Sequence, residues 1–294
     1  STHATKRRKI KAALTTMIDI GVNLSNPRFA KDTQAVLTRA QQAGVEKLIL
    51  TGTSIAESRA VSDLCAEYAS QFNNMLFSTA GIHPHDAKEF TRSSINDLRE
   101  LAAQRQVVAL GEMGLDFNRN FSTPKAQEKA FEAQLELAAE LRLPVFLHER
   151  DAADRQLQIL KSYRDHLVDG VSHCFTGSKQ ALFGYLDLNL HIGVTGWISD
   201  DKRGESLQSL VHNIPLNRLM VETDAPYLLP KNMPKATAEK TAPPENTKSA
   251  KKVSRNEPAF LPFVIAAIAA HRSETKQEIA AATTANALRF FRLN

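Results

Sequence analysis

A (β/α)8 barrel, the TIM barrel of the α/β class, is the architecture this sequence predicts, and three observations lead to it. Short apolar runs rich in Val, Ile and Leu recur along the chain, as in parallel strands buried on both faces. Stretches with apolar residues three and four positions apart separate them. Polar residues gather where the runs end, which is where a barrel of this kind keeps its chemistry.

Taken in order, the runs predict strands at Met17–Val22, Val45–Leu50, Met75–Ala80, Val107–Leu110, Val145–His148, Val171–Phe175, Leu190–Thr195 and Leu219–Glu222. Helical spacing predicts helices at Thr33–Ala43, Glu57–Ala69, Ser94–Gln104, Pro124–Leu141 and Ala153–Tyr163. Pro124 stands where a helix start tolerates proline, after Ser122 and Thr123 as candidate caps. Helices at Ala259–His271 and Thr275–Phe291 close the barrel. The competing architecture is a doubly wound open sheet, but no Gly-x-Gly-x-x-Gly follows the first strand, which weakens its dinucleotide-binding form.

The chain has 294 residues, 43% apolar and 23% charged, with a mean hydropathy of −0.29. These values suit a soluble globular protein and exclude fibrous and largely disordered classes. The longest mostly apolar stretch, Leu261 to Ala270, is about half the ~20 residues a membrane span requires. Cys65 and Cys174 are far apart and lack the spacing of a redox or zinc motif, so a reducing cytoplasm is expected.

The net charge of +5 is unevenly placed. Residues 1–16 hold five bases and no acid, and read as a solvated flexible tail ahead of a single domain over residues 17–294; Met17 is a candidate natural start. Residues 231–255 hold seven bases against Glu239 and Glu245, and the rest of the body is net acidic. This segment, with Pro234, Pro243 and Pro244, reads as a long loop after the last strand, and loops of that length are commonly functional or disordered. It emerges on the face where strands end, so it could steer phosphates toward the site.

At the strand ends stand Asp19 and Asn23 (first), His83 and His85 (third), Glu112 and Asp116 (fourth), His148 and Glu149 (fifth), His173 (sixth), and Glu222 and Asp224 (eighth). Glu112, His148, His173 and Asp224 converge from four strands. Imidazoles and carboxylates are the usual ligands of a divalent cation, and a cation would balance acids that are costly to bury unpaired. Any one of these histidines alone reads more simply as structural. His166, His191, His212 and His271 lie away from strand ends and read as ordinary surface or core residues.

Six ordered segments resemble the TatD family of metal-dependent hydrolases: Asp19-Ile20-Gly21-Val22-Asn23, Thr79 to His85, Gly111 to Phe117, His173 to Gly177, Glu222 to Tyr227, and Arg255-Asn256-Glu257-Pro258. The resemblance runs from about Asp19 onward. It implies an amidohydrolase-like barrel and a divalent-metal-dependent deoxyribonuclease acting 3′ to 5′ on single-stranded DNA, or RNA. By matching motif it makes Glu112, His148 and His173 metal ligands, and Asp224 a ligand or general base. Many family members carry Asp-x-His-x-His on the first strand; here Gly21 and Asn23 occupy the histidine places, so the ions number one or two, and Asn23 could supply an oxygen or hold a water. A second departure is Glu149, which is expected to point away from His148, since neighbouring strand residues face opposite sides.

On that reading the cation polarises a phosphoryl oxygen and acidifies a water that Asp224 orients or deprotonates. His83 and His85 hydrogen-bond the phosphate or protonate the leaving oxygen, and Arg255 clamps a phosphate by paired hydrogen bonds. Phe117, Phe121, Phe175, Trp197 and Tyr227 are candidates for base stacking, with Trp197 and Tyr227 foremost. Two imidazoles favour Zn2+, Mn2+ or Co2+, whereas phosphoryl chemistry and the resemblance favour Mg2+, which is the expectation taken. A monomer without membrane attachment is expected. The alternatives are an ester or amide hydrolase, such as a D-aminoacyl-tRNA deacylase, and a nucleic-acid-binding barrel without catalysis.

Overall fold

The computed structural model describes residues 15–241 and 254–294. The eight strands are β1 (Met17–Val22), β2 (Val45–Leu50), β3 (Leu76–Ala80), β4 (Val107–Asp116), β5 (Val145–Arg150), β6 (Gly170–Ser172), β7 (His191–Val194) and β8 (Leu219–Val221). They pair in chain order, each parallel to the next. The seam is drawn together by a parallel bridge between Val22 and Ala225, with Asn23 N–H donating to the Ala225 carbonyl (2.9 Å) and Asp224 N–H to that of Gly21 (2.9 Å). Consecutive parallel pairing that returns to its starting strand is a barrel, which rules out the doubly wound alternative.

The helices are α1 (Thr33–Gln42), α2 (Ile55–Glu67), α3 (Arg92–Ala102), α4 (Pro124–Leu141), α5 (Ala153–Tyr163), α6 (Lys179–Asp187), α7 (Glu205–Leu210), α8 (Lys235–Thr241), α9 (Leu261–Ala269) and α10 (Lys276–Phe290). The bounds of α4 and α5 are those the sequence predicts. Thr123 caps α4 by accepting from Ala126 N–H (3.1 Å), with Pro124 at the first helical position. Three helices went unpredicted: α6, started by the Ser178 cap, the two-turn α7, and α8. The last lies in the basic segment read as a loop; residues 242–253 of that segment and residues 1–14 of the tail lie outside the described residues. The fourth and fifth strands also run further than predicted, to Asp116 and Arg150.

Two apolar layers hold the barrel. Between strands and helices lies a large cluster that includes Leu48, Leu110, Leu147, Ile192 and Val221. Inside, Ile18, Ile20, Ile49, Val108, Phe146, Val171 and Met220 pack with Ala287 and Phe290 of α10 and its C-cap Phe291, which stop the lower end. Strand side chains alternate between faces. The residues two positions beyond Phe146, Val171 and Met220 are therefore also directed inward: His148, His173 and Glu222. No helix among the described residues is long and apolar enough to cross a membrane.

Candidate metal centre

Glu112 reaches the barrel axis through a local irregularity. Pairing of β4 with β5 skips between Gly111 and Met113, leaving Glu112 as the extra residue of a bulge, a device that re-aims a side chain. Its N–H donates to Gly52 O, just past the end of β2 two strands away (2.8 Å). Gly111 (φ +140°) and Gly114 (φ +146°) flank the bulge, and a Cβ on Gly114 would fall 1.8 Å from His148 O. Only glycine lets the two strands approach this closely there.

Around one oxygen of Glu112 stand three imidazoles. Oε1 lies 2.8 Å from His173 Nε2, 3.0 Å from His148 Nδ1 and 3.5 Å from His83 Nε2. Their remaining nitrogens assign the tautomers. His148 Nε2 meets Asp116 Oδ2 at 2.9 Å and His173 Nδ1 meets Glu222 Oε1 at 2.7 Å, so each ring donates outward to a carboxylate. Each thus presents its other nitrogen to the centre, the arrangement of ligating histidines. His83 differs. Its Nδ1 accepts the N–H of His85 (3.0 Å), which puts the proton of the neutral ring on Nε2, facing Glu112. His83 is therefore a hydrogen-bond donor here, not a lone-pair donor. Asp224 joins from the other side: a carboxylate oxygen of Asp224, one of Glu222 and a ring nitrogen of His173 all lie within 4.8 Å of one another.

Burial and charge oppose one another throughout. Burial works against ionisation of Glu112, yet the His173 and His83 rings hold its pKa well below the carboxylate range. Burial likewise disfavours a protonated His173, but Glu112 and Glu222 on either side hold its pKa well above the usual value. Desolvation pushes Asp224 up to about 7, with His173 opposing and the neighbouring acids adding to it. His83 is driven by burial down to about 3, against the pull of Glu112, so it stays neutral. Glu112, Asp116, Glu222 and Asp224 share this small volume, and a divalent cation would replace protons on the rings as the balancing charge. The donors fit one. A first-row ion with bonds of about 2.0–2.2 Å sets its ligands roughly 3 Å apart, close to the separations of Glu112 Oε1 from His148 Nδ1 and from His173 Nε2.

Helix α4 fixes the two loops that carry the histidine partners. Gln134 accepts from Ile82 N–H (2.9 Å) and returns a bond to Ile82 O (3.1 Å), holding the residue before His83. Gln127 does the same for Asp116 (2.8 and 2.9 Å). His85, at the lip, gives Asp116 Oδ2 a second imidazole neighbour at 3.1 Å. A cavity of about 640 Å³ opens over the cluster, bordered by Asn23, His83, His85, Trp197, Asp224 and Tyr227 among others.

The residues expected to touch substrate separate into two groups. Tyr227 is half exposed on the rim, and its hydroxyl accepts from Asn26 Nδ2 (3.1 Å). Trp197 borders the cavity, with the Arg203 guanidinium 4.5 Å over its ring. Phe121 is exposed beside His85. Asn23 donates to Asp224 Oδ1 (3.1 Å), so its amide steadies that carboxylate. Phe175 and Phe117, by contrast, pack into the core.

Arg255 corrects the expectation of a phosphate clamp. It is buried, its guanidinium held by Asp32 through two 2.8 Å bonds and by Arg28 O (2.9 Å). Asn256 donates to Thr223 O (3.0 Å) and Tyr227 O (2.7 Å), and Glu257 pairs with Arg39 (2.8 Å). The Arg-Asn-Glu-Pro motif therefore braces the loop that carries Asp224 against α1. Glu149 turns outward as expected, accepting from Tyr185 OH (2.9 Å). Sequence reasoning gave Asp116 and Glu222 no role of their own, although alternation from Met220 does direct Glu222 inward.

The TatD-related DNase family model matches residues 18–292. The chain belongs to the TatD-related DNase family. It is 47% identical over 276 residues to a Salmonella typhimurium protein named 3′-5′ ssDNA/RNA exonuclease TatD, covering 94% of this chain and 98% of that one. A crystal structure of YJJV, a TatD homolog from Escherichia coli, superposes with a TM-score of 0.79 at 28% identity, covering 96% of this chain and all of that one. An uncharacterized amidohydrolase from Saccharomyces cerevisiae superposes at 0.78 with 25% identity, covering 94% of this chain and 99% of that one. The barrel, the metal-dependent hydrolase class and the resemblance seen in the sequence agree with this TatD-related membership.

Proposed function

We propose that this protein is a divalent-metal-dependent nuclease that removes nucleotides from the 3′ end of single-stranded DNA or RNA. The observation that carries the reading is the ring of imidazoles about Glu112 Oε1, each ligating candidate backed by its own carboxylate. The relatives' name supplies the substrate class and polarity. Glu112, His148 and His173 hold the ion, and Asp224 stands beside them as ligand or base. When bound, the ion supplies Lewis-acid stabilisation of phosphoryl charge and lowers the pKa of water. Mg2+ is the ion proposed on the ground of phosphoryl chemistry; two imidazole donors also admit Mn2+ and Zn2+.

The chain's own residues divide the remaining work. Asp224, beside the ligand set and steadied by the Asn23 amide, takes a proton from the attacking water. His83, its Nε2–H on the Glu112 side of the cavity wall, is placed to hydrogen-bond a phosphoryl oxygen, and His85 stands at the lip to hydrogen-bond or protonate the leaving oxygen. Trp197 and Tyr227 offer faces to the bases of an unstacked strand. The cavity lies in the size range of a small-ligand pocket, which suits a terminal nucleotide better than a duplex. Two free thiols, Cys65 and Cys174, suit a reducing cytoplasm.

Incubating the protein with single strands labelled at either end, across Mg2+, Mn2+ and Zn2+ and with EDTA, tests the reading. Progressive shortening from the 3′ end that EDTA abolishes is the expected result. Binding without shortening, or release of an esterified amino acid from tRNA instead, would overturn it.

A further inference from the structure

Glu222 is the most enclosed acid of the centre, fully buried at the top of β8 and directed inward two residues beyond Met220. Both of its oxygens are engaged: Oε1 with His173 Nδ1 at 2.7 Å, and Oε2 with Cys174 N–H at 3.3 Å. Two glycines on separate strands border it. A Cβ built on Gly21 would lie 2.7 Å from Oε1, and one built on Gly193 would lie 2.4 Å from Oε2. Real Cβ atoms essentially never come so close, so any side chain at either place would displace the carboxylate. Neither position has a positive φ, and both interrupt runs of β-branched residues: Ile18, Ile20 and Val22 on β1, Ile192 and Val194 on β7. Glycine inside a strand weakens it and marks a close approach. What it admits here is Glu222.

We propose that Glu222 is the positioning residue of His173, and that Gly21 and Gly193 exist to keep its slot open. The inference rests on the reading of the cluster as a metal centre. A carboxylate on Nδ1–H fixes the ring's tautomer and rotation and raises the basicity of the nitrogen turned toward the ion. The same slot explains how the first strand serves this centre without an imidazole of its own: it contributes space for an acid from β8. Glu222 does not border the cavity, and its two oxygens are turned to His173 Nδ1 and Cys174 N–H.

Mn2+ affinity, followed by electron paramagnetic resonance on the full chain without substrate, tests the role apart from turnover. Glu222→Gln, which keeps the shape and removes the charge, should weaken Mn2+ binding about 10- to 100-fold. Gly21→Ala should weaken it in the same direction. With 15N-histidine protein and diamagnetic Mg2+, His173 should show a hydrogen-bonded Nδ1–H whose resonance shifts in Glu222→Gln. That spectrum keeps the question open to test if Gly21→Ala fails to fold. Unchanged Mn2+ affinity in folded Glu222→Gln, or His173 protonated on Nε2 with the ion bound, would overturn the proposal. Failure of the unsubstituted protein to bind Mn2+ would instead count against the metal centre itself.

Discussion

His173, just past the end of β6, and His191, at the start of β7, stand at opposite ends of the barrel, and both are buried. His191 meets Asp169 at 3.2 Å and turns its ring edge toward Phe290 of the terminal helix. His173 is held between Glu222 and Glu112, with His148 close by, and stacks on Phe146. A buried histidine with one acidic partner is thus an ordinary piece of core. Convergence of further acids and imidazoles on the ring's second nitrogen is what makes a candidate ligand. The same division runs through the interior. Phe146, Val171 and Met220 fill the lower level, and the next inward residues on their strands, His148, His173 and Glu222, form the upper one.

Substitutions at the two levels should give opposite signatures. Glu112→Ala and Asp224→Asn should each lower metal-dependent strand degradation by about 10²–10³-fold, with the far-ultraviolet circular dichroism spectrum unchanged. Retained activity in both would erase the distinction between levels. Arg255→Ala, buried beside the site yet outside the cavity, should behave as a core change. It removes the buried, nearer partner of Asp32, which keeps only Arg39 at 3.5 Å, and should cost about 3–5 kcal/mol in denaturant unfolding. A raised KM for single strands without loss of stability would restore the phosphate clamp. Met220→Ala, directly beneath Glu222, should cost about 2–5 kcal/mol with kcat preserved in the folded protein. A fall in activity without destabilisation would show that the levels are not separable.

The smallest expected effect sharpens the contrast between paired acids at the surface and in the centre. The Arg272 hydrogen bond holds the Glu274 pKa below its ordinary 4.5. A depressed carboxylate contributes stability above its unfolded pKa, and this is lost as pH falls through the folded value. Glu274→Gln should therefore reduce stability by less than about 1 kcal/mol at neutral pH, with the difference from the unsubstituted protein shrinking below pH 4.5. A gap that persists at lower pH would assign the effect to packing.

Most of the barrel could be read in advance, because strand and helix periods are local properties. A run such as Val145 to His148 states its own burial, and Pro124 behind Thr123 announces its own helix start. Short helices such as α7 carry too few residues to show a period, and α8 was hidden by the lysines and prolines around it. The fourth strand is predicted to end at Leu110, because the glycines that follow interrupt the apolar run; they serve a bulge within a longer strand.

The kinds of ligand and their places at strand ends were likewise a matter of sequence, since a strand's last inward residue follows from alternation alone. Which atom meets which was not. The opposite tautomers of His83 and His173, the inward burial of Arg255 and the slot that Gly21 and Gly193 leave around Glu222 all depend on groups far apart in the chain. Their separations are set only when the barrel closes and its packing determines, to a few tenths of an ångström, where there is room.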